Sequence, residues 1–239
     1  MPHFLTVALL ISAYISGAAA TTPTECVILL HGLARTSGSM AKLGDALKGN
    51  GYSVANIGYP SRQHPIESLA LEAIDRGLSV CRKHAPAKIH FVTHSLGGIL
   101  VRYYLSRADI PELGRVVMLA PPNQGSEVAD KFSGVPGYTT INGPAGHQLG
   151  TESASVPNML GPVTYPVGVI AGTKSINLIL STAFNEPNDG KVSVTRARVE
   201  GMADFIELPT SHPFIMRNPE AIRQTLKFLK NGGFAHNVP

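Results

Sequence analysis

The stretch that decides the fold is FVTHSLGGIL, residues 91–100. Its first half is apolar and predicts a strand, whereas its second half predicts the start of a helix, so Ser95 lies at a strand-to-helix turn. Such a tight turn forces the serine into a strained backbone conformation with its hydroxyl projecting outward. We expect Gly97 to let the helix and the strand approach closely. The N–H of Leu96 opens the helix, where an anion is favoured.

Strands and helices alternate through most of the chain. The strands are continuous apolar runs, which is typical of a parallel sheet covered on both faces. The sequence therefore predicts a single α/β domain over residues 21–239, with a mostly parallel sheet and helices on both faces. Strands are expected at residues 25–33, 52–60, 88–94, 115–122, 167–173 and 204–209. Helices are expected at residues 39–52, 64–84, 95–107 and 219–233.

Residues 123–166 interrupt this alternation. The segment is rich in Gly, Pro, Ser, Thr and Asn, and it shows no regular hydrophobic pattern. A long irregular insertion inside a compact α/β domain is usually a lid or a binding loop. The alternative is a solvated surface excursion without a function of its own. We predict a lid-like or binding insertion here.

Composition limits the class of protein. The chain has 239 residues, of which 44% are hydrophobic and 15% charged, which is enough for one large core. The net charge of +4 comes from scattered residues without a basic run, so no nucleic-acid partner is expected. The histidines do not stand at ligand spacing with carboxylates or thiols, so no metal is expected, and no cofactor is expected either.

The N-terminus predicts export. Residues 1–20 are uncharged and apolar and end in Ala-Ala-Ala, which indicates a signal peptide cleaved after Ala20 and a secreted or periplasmic protein. The alternative is an uncleaved membrane anchor, although the run is slightly short for a span. Two cysteines, Cys26 and Cys81, follow in the mature part. An exported chain permits one disulfide between them, and the alternative is two buried free thiols.

Four short motifs carry a family resemblance. Together they resemble the α/β-hydrolase superfamily, and in particular its bacterial lipase and esterase branch, from about residue 25 to about residue 230. The family's turn around the nucleophile is Gly-x-Ser-x-Gly, and here Thr93 stands where the first glycine belongs. The motifs are HGL at 31–33, THSLGG at 93–98, NDGKV at 188–192 and TSHPF at 210–214.

The resemblance implies a role for each motif. It makes Ser95 the nucleophile, His212 the base and Asp189 the acid that orients the base, in the chain order Ser, Asp, His. The backbone N–H groups of Leu33 and Leu96 would form the oxyanion hole. Asp204 precedes its strand and lies at the wrong end of the sheet, and His94 is expected to point to the opposite side of the turn. The competing acids are Glu186 and Asp204, and the competing bases are His31, His64, His94 and His147.

The resemblance also implies an activity. We expect an exported serine esterase or lipase that cleaves carboxylic esters, with lipid or fatty-acyl esters preferred, through an acyl-enzyme. Leu33, Leu96 and the segment around Val156–Val163 would form an apolar acyl-binding wall, and the protein would contact lipid interfaces transiently. The alternatives are a phospholipase, a thioesterase or a lipid-anchor inositol deacylase on the same scaffold, and a non-catalytic binding or chaperone-like protein.

In the α/β-hydrolase fold that the resemblance implies, the strand that Cys26 begins and the strand that follows Cys81 are neighbours. Both sulfurs would then approach the amino edge of the sheet, opposite the active site.

Overall fold

The computed structural model describes residues 25–135, 137–176 and 182–236, so the predicted signal peptide lies outside the described residues. Within them, six strands form one sheet. These are β1 (Cys26–Leu30), β2 (Ser53–Ile57), β3 (Ile89–His94), β4 (Leu113–Leu119), β5 (Val167–Gly172) and β6 (Asp204–Leu208). Their spatial order is β2-β1-β3-β4-β5-β6, and every neighbouring pair is parallel. The predicted parallel α/β sheet is confirmed.

Helices cover both faces of this sheet. Helices α2 and α3, defined below, pack on one face, and α1 and α8 pack on the other. Short 3-10 turns at Ser37–Met40 and Ile215–Arg217 precede α1 and α8. The helices are α1 (Ala41–Gly49), α2 (Ile66–Arg82), α3 (Leu96–Leu105), α4 (Glu127–Phe132), α5 (Tyr138–His147), α6 (Val156–Met159), α7 (Val194–Ala197) and α8 (Pro219–Asn231).

Strand β1 explains why the strands appear as unbroken apolar runs. All five of its residues are buried. Alternate residues belong to different cores, because successive side chains of a strand point to opposite faces. Cys26, Ile28 and Leu30 join the core under α2 and α3, whereas Val27 and Leu29 join the core under α1 and α8. A strand covered on both faces needs an apolar residue at every position.

Cys26 and Cys81 are joined in the structure by a disulfide, with their Cα atoms 5.7 Å apart. Cys26 begins β1 and Cys81 lies in the last turn of α2, so the bond lies at the amino edge of the sheet. The strand-to-helix turn at Ser95 lies at the opposite edge. Across the described residues, no helix combines the length and the apolar character that crossing a bilayer requires.

The insertion at residues 123–166 is more regular than the sequence predicts, because it contains α4, α5 and α6. Two of these helices have six and four residues, too few to produce a helical hydrophobic period. The third is kinked at Gly143, which has φ 65° and ψ −172° and precedes Pro144. A Cβ on Gly143 would lie 1.8 Å from the carbonyl oxygen of Arg62, so contact with a distant loop fixes this kink.

Candidate active site

The carboxyl ends of parallel strands meet at one edge of a sheet, and ligands bind at that edge in open α/β folds. Leu33 follows β1, Ser95 follows β3, Asp189 follows β5 and His212 follows β6. All four line one cavity of about 480 Å³. That volume is within the range of small-molecule sites, about 300–1,000 Å³. The fold therefore brings the residues that the motifs single out to a common site.

Ser95 has the strained backbone that the sequence predicts. Its φ of 52° and ψ of −119° are rare for a residue other than glycine. Its N–H donates to the carbonyl oxygen of Leu119 on β4 at 2.9 Å. The next turn packs tightly, because a Cβ on Gly97 would lie 2.7 Å from the carbonyl oxygen of Leu30. Contacts on both sides hold the serine in this conformation.

Asp189 and His212 are joined by two hydrogen bonds. The Nδ1–H of His212 donates to Oδ2 of Asp189 at 2.7 Å, and the main-chain N–H of His212 donates to the carbonyl oxygen of Asp189 at 3.0 Å. The other carboxylate oxygen, Oδ1, accepts the main-chain N–H groups of Lys191 and Val192, both at 2.9 Å. The carboxylate fixes the proton on Nδ1, which leaves Nε2 of His212 as the basic nitrogen.

Two main-chain N–H groups near Ser95 have no hydrogen-bond acceptor among the described residues. One belongs to Leu33, and the other belongs to Leu96, the first residue of α3. The first amides of a helix have no partner within the helix. The loop that carries Leu33 touches the serine, since a Cβ on Gly32 would lie 3.2 Å from Cβ of Ser95. Both amides are free to bind an oxyanion.

The prediction that His94 points away from the site is wrong. Its ring lies against that of His212, with centroids 4.8 Å apart, and its Nε2–H donates to the carbonyl oxygen of His212 at 3.0 Å. Burial, followed by the charge of His212, lowers the pKa of His94 well below its usual value, so this ring is neutral. The ring faces the site because its Nε2–H bonds the loop that carries His212.

His31 is also unsuited to act as the base. It is buried and stacks on the ring of Tyr59, with centroids 4.0 Å apart. Its Nδ1–H donates to the carbonyl oxygen of Gly32 at 2.9 Å, and its Nε2 accepts the N–H of Tyr59 at 3.3 Å. Burial lowers the pKa of His31. Both ring nitrogens therefore serve to hold the loop after β1.

The other competitors lie away from the cavity. Asp204 begins β6 at the amino edge, as the sequence predicts, and its carboxylate accepts the N–H of Phe234 at 2.7 Å. Glu186 is exposed and accepts the hydroxyl of Thr195. The remaining histidines, His64 and His147, are exposed and do not line the cavity.

The structure places only one of the residues predicted to form an acyl-binding wall in the lining of the cavity. Leu33 does line the cavity, but the side chain of Leu96 is fully buried in the core. The segment 156–163 packs its two valines into the same core. Helices α4 and α5 and the loops after β5 cover the site instead. The apolar lining consists of Leu33, Val128, Ala129, Phe132, Val135, Leu149, Ile176 and Val192.

Comparison with known proteins identifies the fold. No protein-family model matches the chain, and no curated protein matches it. The mature form of a Bacillus licheniformis lipase has a TM-score of 0.67 at 18% identity over 91% of this chain and 96% of that one. Phospholipase PlaB from Legionella pneumophila has a TM-score of 0.67 at 18% identity over 88% of this chain, which spans 60% of the phospholipase. A Pyrococcus furiosus esterase has a TM-score of 0.59 at 18% identity over 87% and 83%.

At these identities the likeness shows the fold. The chain has an α/β-hydrolase fold, which it shares with the lipase and esterase structures named above.

Proposed function

We propose that this protein is a serine ester hydrolase that cleaves carboxylic esters through an acyl-enzyme. The observation that carries the proposal is the buried hydrogen bond between Asp189 and His212, at 2.7 Å, beside the cavity that Ser95 also lines. Burying a carboxylate and an imidazole costs free energy unless the two groups are well hydrogen-bonded to each other and to their surroundings. In serine hydrolases a pair of this kind orients the general base. The similarity of the fold to lipases and esterases supports the same activity.

In the proposed reaction, Oγ of Ser95 attacks the ester carbonyl carbon while Nε2 of His212 takes the hydroxyl proton. Asp189 stabilises the imidazolium through its bond to Nδ1–H. The ester C–O bond then breaks, the alcohol leaves with the proton from Nε2, and the acyl group stays on Ser95. Water, deprotonated by the same imidazole, attacks the acyl-enzyme, and the carboxylic acid leaves as the serine regains its proton.

The free amides of Leu33 and Leu96 would bind the negative charge that develops on the carbonyl oxygen. A main-chain donor aimed at such an oxyanion contributes about 3–4 kcal/mol to the transition state. Neither amide has to give up an existing hydrogen bond within the described part of the chain. Neither donor therefore has to break an internal hydrogen bond before it binds the oxyanion.

The apolar lining favours an ester with a hydrocarbon acyl chain. Each CH₂ group that leaves water contributes about 0.8 kcal/mol, so a cavity of about 480 Å³ would select for acyl length. Val135 and Ile176 line the cavity and are 49% and 65% exposed. Exposed apolar side chains beside an apolar cavity support transient contact with a lipid interface.

A phospholipase, a thioesterase or a lipid-anchor inositol deacylase would use the same catalytic residues. Hydrolysis of matched oxygen esters, thioesters and phospholipids by one preparation separates them. A non-catalytic binding protein would turn over none of these substrates.

We also propose that the chain is exported and that residues 1–20 are removed. The disulfide between Cys26 and Cys81 supports an oxidising compartment. Sequencing the N-terminus of protein recovered outside the cytoplasm should begin at Thr21, and an intact Met1 would favour the uncleaved anchor.

The decisive experiment joins a serine-directed fluorophosphonate probe with p-nitrophenyl butyrate hydrolysis. Ser95→Ala should abolish labelling and lower kcat by at least about 10³-fold, because the nucleophile is lost. Ser126→Ala, a second serine of the same cavity, should keep the labelling. Heat-denatured protein should not be labelled. Undiminished turnover by Ser95→Ala would rule out the proposed nucleophile.

A further inference from the structure

The cavity contains two cations that the proposed hydrolysis does not use. Arg35 and Lys191 both line it, and among its described lining residues Asp189 carries the one carboxylate. Arg35 is exposed, whereas Lys191 is partly buried. Lys191 is part of the motif NDGKV, and Arg35 follows the motif HGL by two residues. Two positive charges therefore lie in a cavity whose lining is otherwise mostly apolar.

Asp189 does not neutralise either cation directly. Its two carboxylate oxygens already accept the imidazole N–H and two main-chain N–H groups. No carboxylate of the described residues lies within 4 Å of the Lys191 ammonium or the Arg35 guanidinium. By contrast, Arg196 on α7 pairs with Glu127 at 3.2 Å, directly beside the cavity wall.

The position of Lys191 partly desolvates its ammonium without supplying a carboxylate partner among the described residues. Burial, followed by the charge of Arg35, lowers the pKa of Lys191, and Asp189 only partly opposes this effect. A buried ammonium costs free energy unless it is paired and hydrogen-bonded. An anion that entered the cavity would be bound by two cations at once and would offset that cost.

The two cations belong to loops that also carry residues of the candidate site. The main-chain N–H of Lys191 binds the carboxylate that orients His212, so this residue lies beside the base that gives its proton to the leaving alcohol. Arg35 follows the oxyanion donor Leu33 by two residues. Both cations act electrostatically on the ring of His94, next to the nucleophile. Because the base gives its proton to the leaving alcohol, a negative group of the substrate that contacts these cations would belong to the alcohol part of the ester.

We propose that Arg35 and Lys191 form a subsite for a phosphate or carboxylate group on the alcohol part of the ester. The preferred substrate is then an anionic ester, with its acyl chain against the apolar wall and its anion against the two cations. This inference rests on the proposed ester hydrolysis and narrows its substrate class.

Two matched pairs of butyryl esters test the proposal. The phosphate arm compares 1-butyrylglycerol 3-phosphate with 1-butyrylglycerol, and the carboxylate arm compares 3-butyryloxypropanoate with propyl butyrate. In at least one arm the wild-type kcat/KM should be higher for the anionic ester than for the neutral one by about tenfold or more. A hydrogen bond to a charged group has an effect of this size. The arm that shows the preference identifies the group.

Variants connect that preference to the two cations. Lys191→Met and Arg35→Met should each lower the anionic-to-neutral ratio of kcat/KM by about threefold to tenfold. Lys88→Met removes the same charge from the exposed opposite edge of the sheet and should leave the ratio unchanged. Equal use of anionic and neutral esters in both arms, or an unchanged ratio in both cavity variants, would refute the subsite.

A binding measurement separates this proposal from the proposed hydrolysis. Titration of glycerol 3-phosphate and of 3-hydroxypropanoate into Ser95→Ala needs no turnover. Adding Lys191→Met to that variant should weaken binding of the favoured anion about tenfold. If the wild type cleaves no ester but this loss is seen, the subsite stands and the hydrolase proposal falls. If neither anion binds more tightly with Lys191 than without it, the subsite is wrong.

Discussion

Replacing Gly97 with alanine tests the packing that holds Ser95, the proposed nucleophile. A Cβ at this position would lie 2.7 Å from the carbonyl oxygen of Leu30 and 3.1 Å from that of His31. Both are backbone atoms of β1 and the loop after it, so they cannot move aside as a side chain could. Helix α3 would have to shift away from the sheet, and forced overpacking of this kind costs about 1–3 kcal/mol.

The neighbouring Gly98 provides a matched control. A Cβ there would lie 3.3 Å from Sδ of Met118 and from Cβ of Pro121, a tight contact that small movements relieve. Alanine gains about 1 kcal/mol of helix propensity over glycine in either variant, so the difference between the variants isolates the clash. We expect Gly97→Ala to be less stable than Gly98→Ala by about 1–3 kcal/mol.

Thermal unfolding followed by circular dichroism measures this difference. For a domain of this size, 1 kcal/mol shifts Tm by about 2–4 °C, so Gly97→Ala should melt about 2–12 °C below Gly98→Ala. The same shift would move Ser95 and the amide of Leu96, and a displacement of about 1 Å can cost about 10²-fold in rate. If Gly97→Ala melts at or above the temperature of Gly98→Ala and hydrolyses p-nitrophenyl butyrate equally well, the close approach of α3 to β1 is refuted.

Three further perturbations give distinct expected outcomes. Asp189→Asn should lower kcat for p-nitrophenyl butyrate by up to about 10⁴-fold, since the imidazole loses the carboxylate that fixes its tautomer, and a loss below tenfold would contradict this role. Cys26→Ser with Cys81→Ser should lower the free energy of unfolding in urea by about 4 kcal/mol, because the bond closes a loop of 55 residues, and an unchanged midpoint would contradict the bridge. The pKa of His94 is lowered in the folded state, so below about pH 6.5 this imidazole binds a proton in the unfolded chain but not in the folded one. The free energy of unfolding should therefore fall as pH falls from 7 to 5. His94→Gln, which keeps an N–H donor for the carbonyl of His212, should make that fall shallower by up to about 1.4 kcal/mol per pH unit and retain more activity than His94→Ala. Equal pH slopes in the wild type and His94→Gln would contradict the buried neutral state.

The local parts of the fold could be predicted because neighbours in the chain decide them. The apolar run of β1 predicts a strand buried on both faces, and each of its residues is buried. The stretch around Ser95 predicts a strained turn, and the serine has a φ of 52°. The chain order of the motifs indicates which residues reach the carboxyl edge of the sheet, because parallel strands share that edge.

The enclosure of the site could not be predicted in this way. Helix α5 is kinked at Gly143 by the carbonyl of Arg62, a contact between residues 81 positions apart. The short helices of the insertion have no hydrophobic period of their own, and the apolar residues of α4 face a cavity that distant strands create. His94 likewise bonds a carbonyl 118 residues away, which no local rule of strand alternation anticipates.

The sequence by itself determined the strands, the helices on both faces and the chain order of Ser95, Asp189 and His212, the proposed nucleophile, acid and base. These features depend on hydrophobic period and turn chemistry, which act over a few residues. Tertiary structure alone decided which residues line the cavity, that His94 bonds the carbonyl of His212, and that Arg35 and Lys191 share a cavity with Ser95. Those outcomes depend on packing between segments that are far apart in the chain. Their side chains come into contact only after the chain has folded.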